Sequence, residues 1–265
     1  MPEAKGSPAF QRALPFVLER LLPAYSSLAP ISFAYCQGSM VENLSNTSDV
    51  DVIFVWGSAV PHQDTRLPTG VGDSSPRPRV WANQETFHVA GQEYGVAHHT
   101  LAQWQSWVVE LNEGRGTEGY PTPVIAAHGL LSGLLLSDPD GSGRKIQRAL
   151  QSFPDRLRLS TLLRAREALP DTLIVLDACA SQNDGLLFHA ELVKAARQVW
   201  LAWFSAQRRY WPLEKRLTTR LRMMGRNDLA CAEERLWGAT SLDDKLGVFR
   251  NLAAALLAET PNESG

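Results

Sequence analysis

The chain has 265 residues, 44% hydrophobic and 20% charged, enough for one large or two modest globular domains with a sizeable core. No apolar run approaches the roughly 18 residues that cross a bilayer. The opening MPEAKGSPAF shows no basic stretch followed by an apolar one, so neither a membrane partner nor a secretion signal is expected. Three distant cysteines with no CxxC pair (Cys36, Cys179, Cys231) argue against a cysteine zinc site or a disulfide framework and suit a cytoplasmic location.

In chain order, Pro8 to Leu28 predicts an amphipathic helix, with Phe10, Leu14, Val17, Leu18, Leu21 and Leu22 at helical spacing. Ile31 to Cys36 predicts a short strand that ends at Gln37-Gly38-Ser39, followed by a short helix from Met40 to Leu44 and turn chemistry at Ser45 to Ser48. VDVIFVW, Val50 to Trp56, is a β-branched and aromatic run and predicts a strand. A Pro, Gly, Ser and Asp-rich loop runs from Gly57 to Pro78. Two strands, Glu85 to Ala90 and Glu93 to His99, join at Gly91-Gln92, and a helix from Leu101 to Leu111 takes Thr100 as its N-cap. Pro123 to Leu136 reads as an apolar helix. After the turn at Ser137 to Gly141, helices are expected over 143–152, 155–168, 171–182, 184–210, 213–224 and 242–258.

Strands alternating with helices, then helices alone, predict an α/β N-terminal domain (1–140) and an all-α domain (141–265). Charge follows the same division. Met1 to Gly143 carries 7 Lys/Arg and 14 Asp/Glu, Arg144 to Arg226 carries 16 and 7, and the tail from Asn227 carries 3 and 7. The basic middle block suits an anionic partner: a triphosphate, a nucleic acid or the acidic half itself.

The chemistry concentrates between Gly38 and Asp51. Gly38 lets a phosphate approach the backbone, and Ser39 adds a hydroxyl and an N–H at an expected helix start, an anion site. Asp49 and Asp51 are two apart at a strand start, so period two puts both carboxylates on one face. Two convergent carboxylates suit Mg²⁺ (or Mn²⁺), which takes its remaining ligands from substrate phosphates and water.

The run GSMVENLSNTSDVDVIFV resembles the signature of the polymerase-β-like nucleotidyltransferase superfamily, a Gly-Ser turn followed by Ser-Asp-x-Asp on a strand. The resemblance covers about residues 31–56. It implies a mixed-sheet fold and Mg²⁺-dependent nucleotidyl transfer from a nucleoside triphosphate (NTP). Gly38 and Ser39, with Ser48 beside them, would hold the phosphates, and Asp49 and Asp51 the metal. LLLSDPDGSGRKIQRALQSFPDRLR and AQRRYWPLEKRL are similar to elements of standalone bacterial members with a C-terminal helical domain. The resemblance implies an acceptor held between two domains.

The sequence departs from that family at the third carboxylate, expected at the centre of a later strand. In QEYGVAHHT the centre carries no acid. Either Glu93 serves with a shifted register, or His98 or His99 substitutes as ligand or base, or the third acid is absent. Arg208, Arg209, Lys215, Arg216, Arg220, Arg222 and Arg226 cluster beside Tyr210 and Trp211, a combination that suits a nucleobase with its phosphates or a nucleic-acid backbone. Lys215, Arg209 and Tyr210 are the residues expected to contact the nucleotide, while His128 and His189 read as structural. The leading expectation is nucleotidyl transfer with pyrophosphate release to a small molecule, protein or nucleic-acid end. The alternatives are a degenerate nucleotide-binding regulator and a nucleic-acid-binding module.

Overall fold

The computed structural model describes residues 5–62, 77–78, 84–118 and 122–259. Most of the loop expected from Gly57 to Pro78 lies outside them. The chain forms two compact units, residues 1–109 with 126–152 and residues 110–125 with 153–265. This division lies later than the expected 140/141 boundary. The helix after the turn stays with the first unit because Asp138 accepts from Gly143 N at 2.8 Å and Arg144 N at 3.1 Å. The order is the expected class: a mixed α/β part, then helices.

The first unit is built on a six-stranded sheet in the order β3-β4-β5-β2-β1-β6. The strands are β1 (Ile31–Gln37), β2 (Val50–Trp56), β3 (Arg77–Pro78), β4 (Gln84–Val89), β5 (Gln92–Thr100) and β6 (Leu134–Ser137). β2 and β5 are parallel and every other pair is antiparallel. Strand alternation sorts the side chains. Val50, Val52, Phe54, Trp56, Tyr94 and Val96 enter a core with the N-terminal helix. The opposite face carries Asp51, Ile53 and Val55, and on β1 Phe33, Tyr35 and Gln37.

The N-terminal helix runs as α1 (Pro8–Phe16), a π turn (Val17–Leu21) and α2 (Leu22–Ser26). Pro23 has no N–H and its ring would crowd the carbonyl four residues earlier, and the wider turn just before it relieves this. The altered phase leaves Leu18 41% exposed although simple periodicity puts it inward. Tyr25 stacks on Phe54 with ring centroids 4.5 Å apart, both fully buried. Burial of each ring stabilises by about 2–3 kcal/mol.

Two local expectations in this unit fail. Residues 40–44 are turns rather than a helix: Glu42 N donates to Gly38 O, Leu44 N to Ser39 O, and Asn43 takes φ +59°. Ser39 therefore opens no helix. The Pro123–Leu136 helix stops early as α4 (Pro123–Ser132), and Leu134–Ser137 becomes β6 against β1. A short leucine run fits a buried strand as well as a helix. The helix α3 (Leu101–Asn112) starts where expected, with Thr100 Oγ1 accepting from Gln103 N at 3.0 Å. α5 is Ser142–Gln151.

The second unit contains α6 (Asp155–Ser181), α7 (Gly185–Ala206), α8 (Leu217–Met223), α9 (Asn227–Gly238) and α10 (Leu242–Ala258). α6 runs through Pro170, where two helices were expected. Its buried residues lie on both sides of the proline (Leu162 and Ala165 before, Leu176 and Cys179 after). Packing of both halves offsets the lost hydrogen bond, about 3 kcal/mol. α9 was not anticipated. No described helix is long and apolar enough to cross a membrane.

Candidate functional site

β1 ends at Gln37, opposite Asp51 on β2, and Asp51 is in turn opposite Gly95 on β5. The Asp51 carboxylate thus sits between two glycines. A Cβ on Gly38 would lie 2.7 Å from Asp51 Oδ2, and Gly38 takes φ +93°, which a side chain disfavours. A Cβ on Gly95 would lie 3.0 Å from Asp51 Oδ1 and 4.0 Å from Asp49 Oδ2. Both carboxylates therefore reach the space above Gly95, as the two-residue spacing predicts. Ser48 Oγ donates to Asp49 Oδ1 at 2.7 Å and fixes that carboxylate. Gln92 Nε2 donates to Ser48 O at 3.0 Å, tying the same turn to the start of β5.

Two oxygens of this region stand out. Ser39 is 7% exposed, yet its Oγ has no hydrogen-bond partner in the chain, and Gln37 Oε1 is likewise buried without one. Folded proteins pair the great majority of such atoms, and a ligand from outside the chain would complete these two. The Asp51 charge is felt locally: the Tyr35 hydroxyl and the Cys36 thiol are both pushed well above their ordinary range, first by burial and then by Asp51.

The third acid is missing where the sheet would place it, because the residue facing Asp51 on β5 is Gly95. Glu93 alternates onto the same face at the strand start, opposite His88, whose Nε2 lies 3.9 Å from its carboxylate. His98 does not belong to the site. It points to the other face, 1% exposed, where its Nε2 meets Glu85 Oε2 at 2.5 Å, its Nδ1 accepts from Trp56 Nε1 at 3.2 Å, and Tyr25 and Phe54 flank the ring. In a parallel pair, residues in register share a face, so His98 follows Phe54 into the core. His99 returns to the Asp51 face but lies four residues beyond Gly95, edge-on to Trp107. Burial lowers its pKa to about 4, with His98 also lowering it against a raising hydrogen bond from Gln103. Among the described residues no three His, Cys, Asp or Glu groups gather as a metal cluster.

The solved structures similar to this chain include a nucleotidyltransferase-like protein from Exiguobacterium sibiricum 255-15, at TM-score 0.44 and 11% identity over 92% of this chain and 74% of that one. No family model and no curated protein matches the chain. The residues of this chain, rather than that likeness, define the site.

The donor set suits a divalent cation that keeps open positions for phosphate and water: two carboxylates and two buried neutral oxygens, all hard ligands. Nearby, Glu42 and His128 approach to 3.3 Å and fix the turn after Ser39 to α4. In the second unit Arg209 and Lys215 are exposed. Tyr210 is not available for stacking. It is buried against Phe153 at 4.8 Å, and burial raises its hydroxyl pKa. Much of the basic block is engaged within the chain. Arg208 pairs with Asp155 at 2.7 Å, Arg222 with Glu234 at 2.7 Å, and Arg226 with Asp228 at 2.8 Å and Glu259 at 2.6 Å. Gln37, which lies opposite Asp51 with its amide oxygen buried, was not singled out from the sequence. Its only sequence signal is a polar amide at a strand end, two positions along from Tyr35 on the face that also carries Asp51.

Proposed function

We propose that this chain is a divalent-metal-dependent nucleotidyltransferase that moves a nucleoside monophosphate from an NTP to an acceptor hydroxyl or amine, releasing pyrophosphate. The observation that carries the reading is the convergence of Asp49 and Asp51 above Gly95, beside the orphaned Ser39 hydroxyl. Asp49, held by Ser48, and Asp51, held between Gly38 and Gly95, are the metal ligands. Ser39 Oγ and the backbone at Gly38 bind the β and γ phosphates, and the missing side chain at Gly38 suits a close approach. Mg²⁺ or Mn²⁺, when bound, neutralises charge on the triphosphate and the departing pyrophosphate. The acceptor oxygen or nitrogen bonds to the α-phosphorus as the bond to the β-phosphate oxygen breaks. Glu93 is a further carboxylate on this face of β5 and takes the acceptor's proton. On the helical unit, exposed Arg209 and Lys215 suit an anionic partner, nucleic acid included.

A second reading has one observation in its favour. Gly95 stands where a third carboxylate would face Asp51, which suits a protein that binds NTP without turning it over. Pyrophosphate release from each of the four NTPs, assayed with Mg²⁺ and pooled small-molecule, protein and RNA acceptors, separates the two. Release that needs both metal and acceptor supports the transferase. Metal-dependent binding with no release across all pools supports the regulator.

A further inference from the structure

From its place opposite Asp51 and the isolation of its carboxamide oxygen, we infer that Gln37 is a third protein oxygen ligand of the Asp49–Asp51 cation, acting through Oε1 on the ion or on a water bound to it. This rests on the proposed metal-dependent reading and goes beyond it. Gln37 lies directly opposite Asp51 in the β1–β2 ladder, so both side chains leave the same face of the sheet. It immediately precedes Gly38, whose Cα backs onto the Asp51 carboxylate.

The helix α4 is shaped around this amide. A Cβ on Gly129 would overlap Gln37 Oε1. Glycine in a helix interior costs roughly 1 kcal/mol relative to alanine, and the space that its missing side chain leaves is where the end of the carboxamide lies.

A structural role would leave a different signature. Other partly buried glutamines here hold backbone carbonyls: Gln147 Nε2 donates to Leu130 O at 3.0 Å, and Gln92 Nε2 to Ser48 O at 3.0 Å. Gln37 Oε1 is as deeply placed and accepts from nothing in the chain. An atom that needs a partner, one residue pair from a carboxylate site, is best completed by the site's own ligand. Position 95 offers no side chain to do so, and Gln37 approaches from the other neighbouring strand.

The test is titration of the full-length protein with Mn²⁺ alone, read by electron paramagnetic resonance of the free ion, with thermal melts in EDTA alongside. Gln37→Met keeps length and removes the oxygen. It should weaken Mn²⁺ binding about tenfold while the EDTA melting temperature holds or rises, because an orphaned polar atom is gone. Gln37→Glu should tighten binding by about tenfold, because added ligand charge raises affinity for a hard cation. Gly129→Ala should weaken binding with Gln37 intact, and the Gln37→Met/Gly129→Ala pair should be no weaker than Gln37→Met alone. Asp51→Asn is the control for the underlying reading. If it abolishes Mn²⁺ binding while Gln37→Met and Gln37→Glu both bind as the parent does, Gln37 is not a ligand and the carboxylate site stands. If the parent binds no Mn²⁺, or Asp51→Asn changes nothing, the metal reading and this inference fall together.

Discussion

The two faces of the central sheet solve the same problem in opposite ways. On one face His98, Glu85 and Trp56 form a buried polar group inside an aromatic core, with partners on both imidazole nitrogens. On the other, Asp49 and Asp51 converge above a glycine, and Ser39 and Gln37 keep buried oxygens with no partner in the chain. A completed buried network holds a fold together, whereas a convergent and incomplete one is set for a ligand. Histidine against carboxylate looks more like catalysis than a serine beside aspartates, yet satisfaction rather than residue type separates the two.

The contrast can be broken by mutation, starting where the effect should be largest. His98→Ala or Glu85→Ala leaves a buried polar partner stranded and should cost about 3–5 kcal/mol in urea unfolding. Nucleotide binding of the fraction that stays folded should be unchanged. If binding instead collapses with stability intact, His98 serves the site after all.

A pH series gives the next largest effect. The folded protein holds the His99 pKa at about 4 against an ordinary 6.5, so the unfolded chain binds the extra proton first as pH falls. Stability contributed this way is full above pH 7 and is lost between about 6.5 and 4, on the order of 3 kcal/mol. His99→Gln should flatten the curve over that window, and an unchanged slope would show that other groups set it.

Gly38→Ala should cost about 1–3 kcal/mol, from the positive φ and the crowding of Asp51 Oδ2, and should weaken metal binding as well. Wild-type stability and metal affinity in that variant would mean the turn is not tight. The smallest effect has the opposite sign. Asp51→Asn removes one of two converging charges and should raise metal-free stability by about 0.5–1 kcal/mol, the usual cost of a working site. A loss of stability would place Asp51 with the structural polar groups.

Much of this was legible in the chain. VDVIFVW forms β2 with the expected bounds, and the spacing of Asp49 and Asp51 puts both carboxylates on one side. The face of His98 was not legible, because it depends on the parallel register of β2 with β5, which pairs Phe54 with His98 across 44 residues. Gln37 was hidden for the same reason, since only folding brings Gly129 beneath it. Local rules also misled where packing overrode them: Pro170 does not end α6, and Leu134–Leu136 joins a sheet rather than a helix. The charge pattern was half informative. Arg222 and Arg226 find Glu234, Asp228 and Glu259 in the acidic tail, so part of the basic block is neutralised within the chain rather than reserved for a partner.

The Asp49–Asp51 face is proposed to bind a metal-triphosphate. Calorimetric titration of ATP, GTP, CTP and UTP into the parent and into Asp49→Ala/Asp51→Ala, each with Mg²⁺ and with EDTA, tests it most directly. The parent should bind at least one nucleotide with Mg²⁺ only, and the double variant none, while its melting curve stays cooperative. Equal Mg²⁺-dependent binding by both proteins would contradict it.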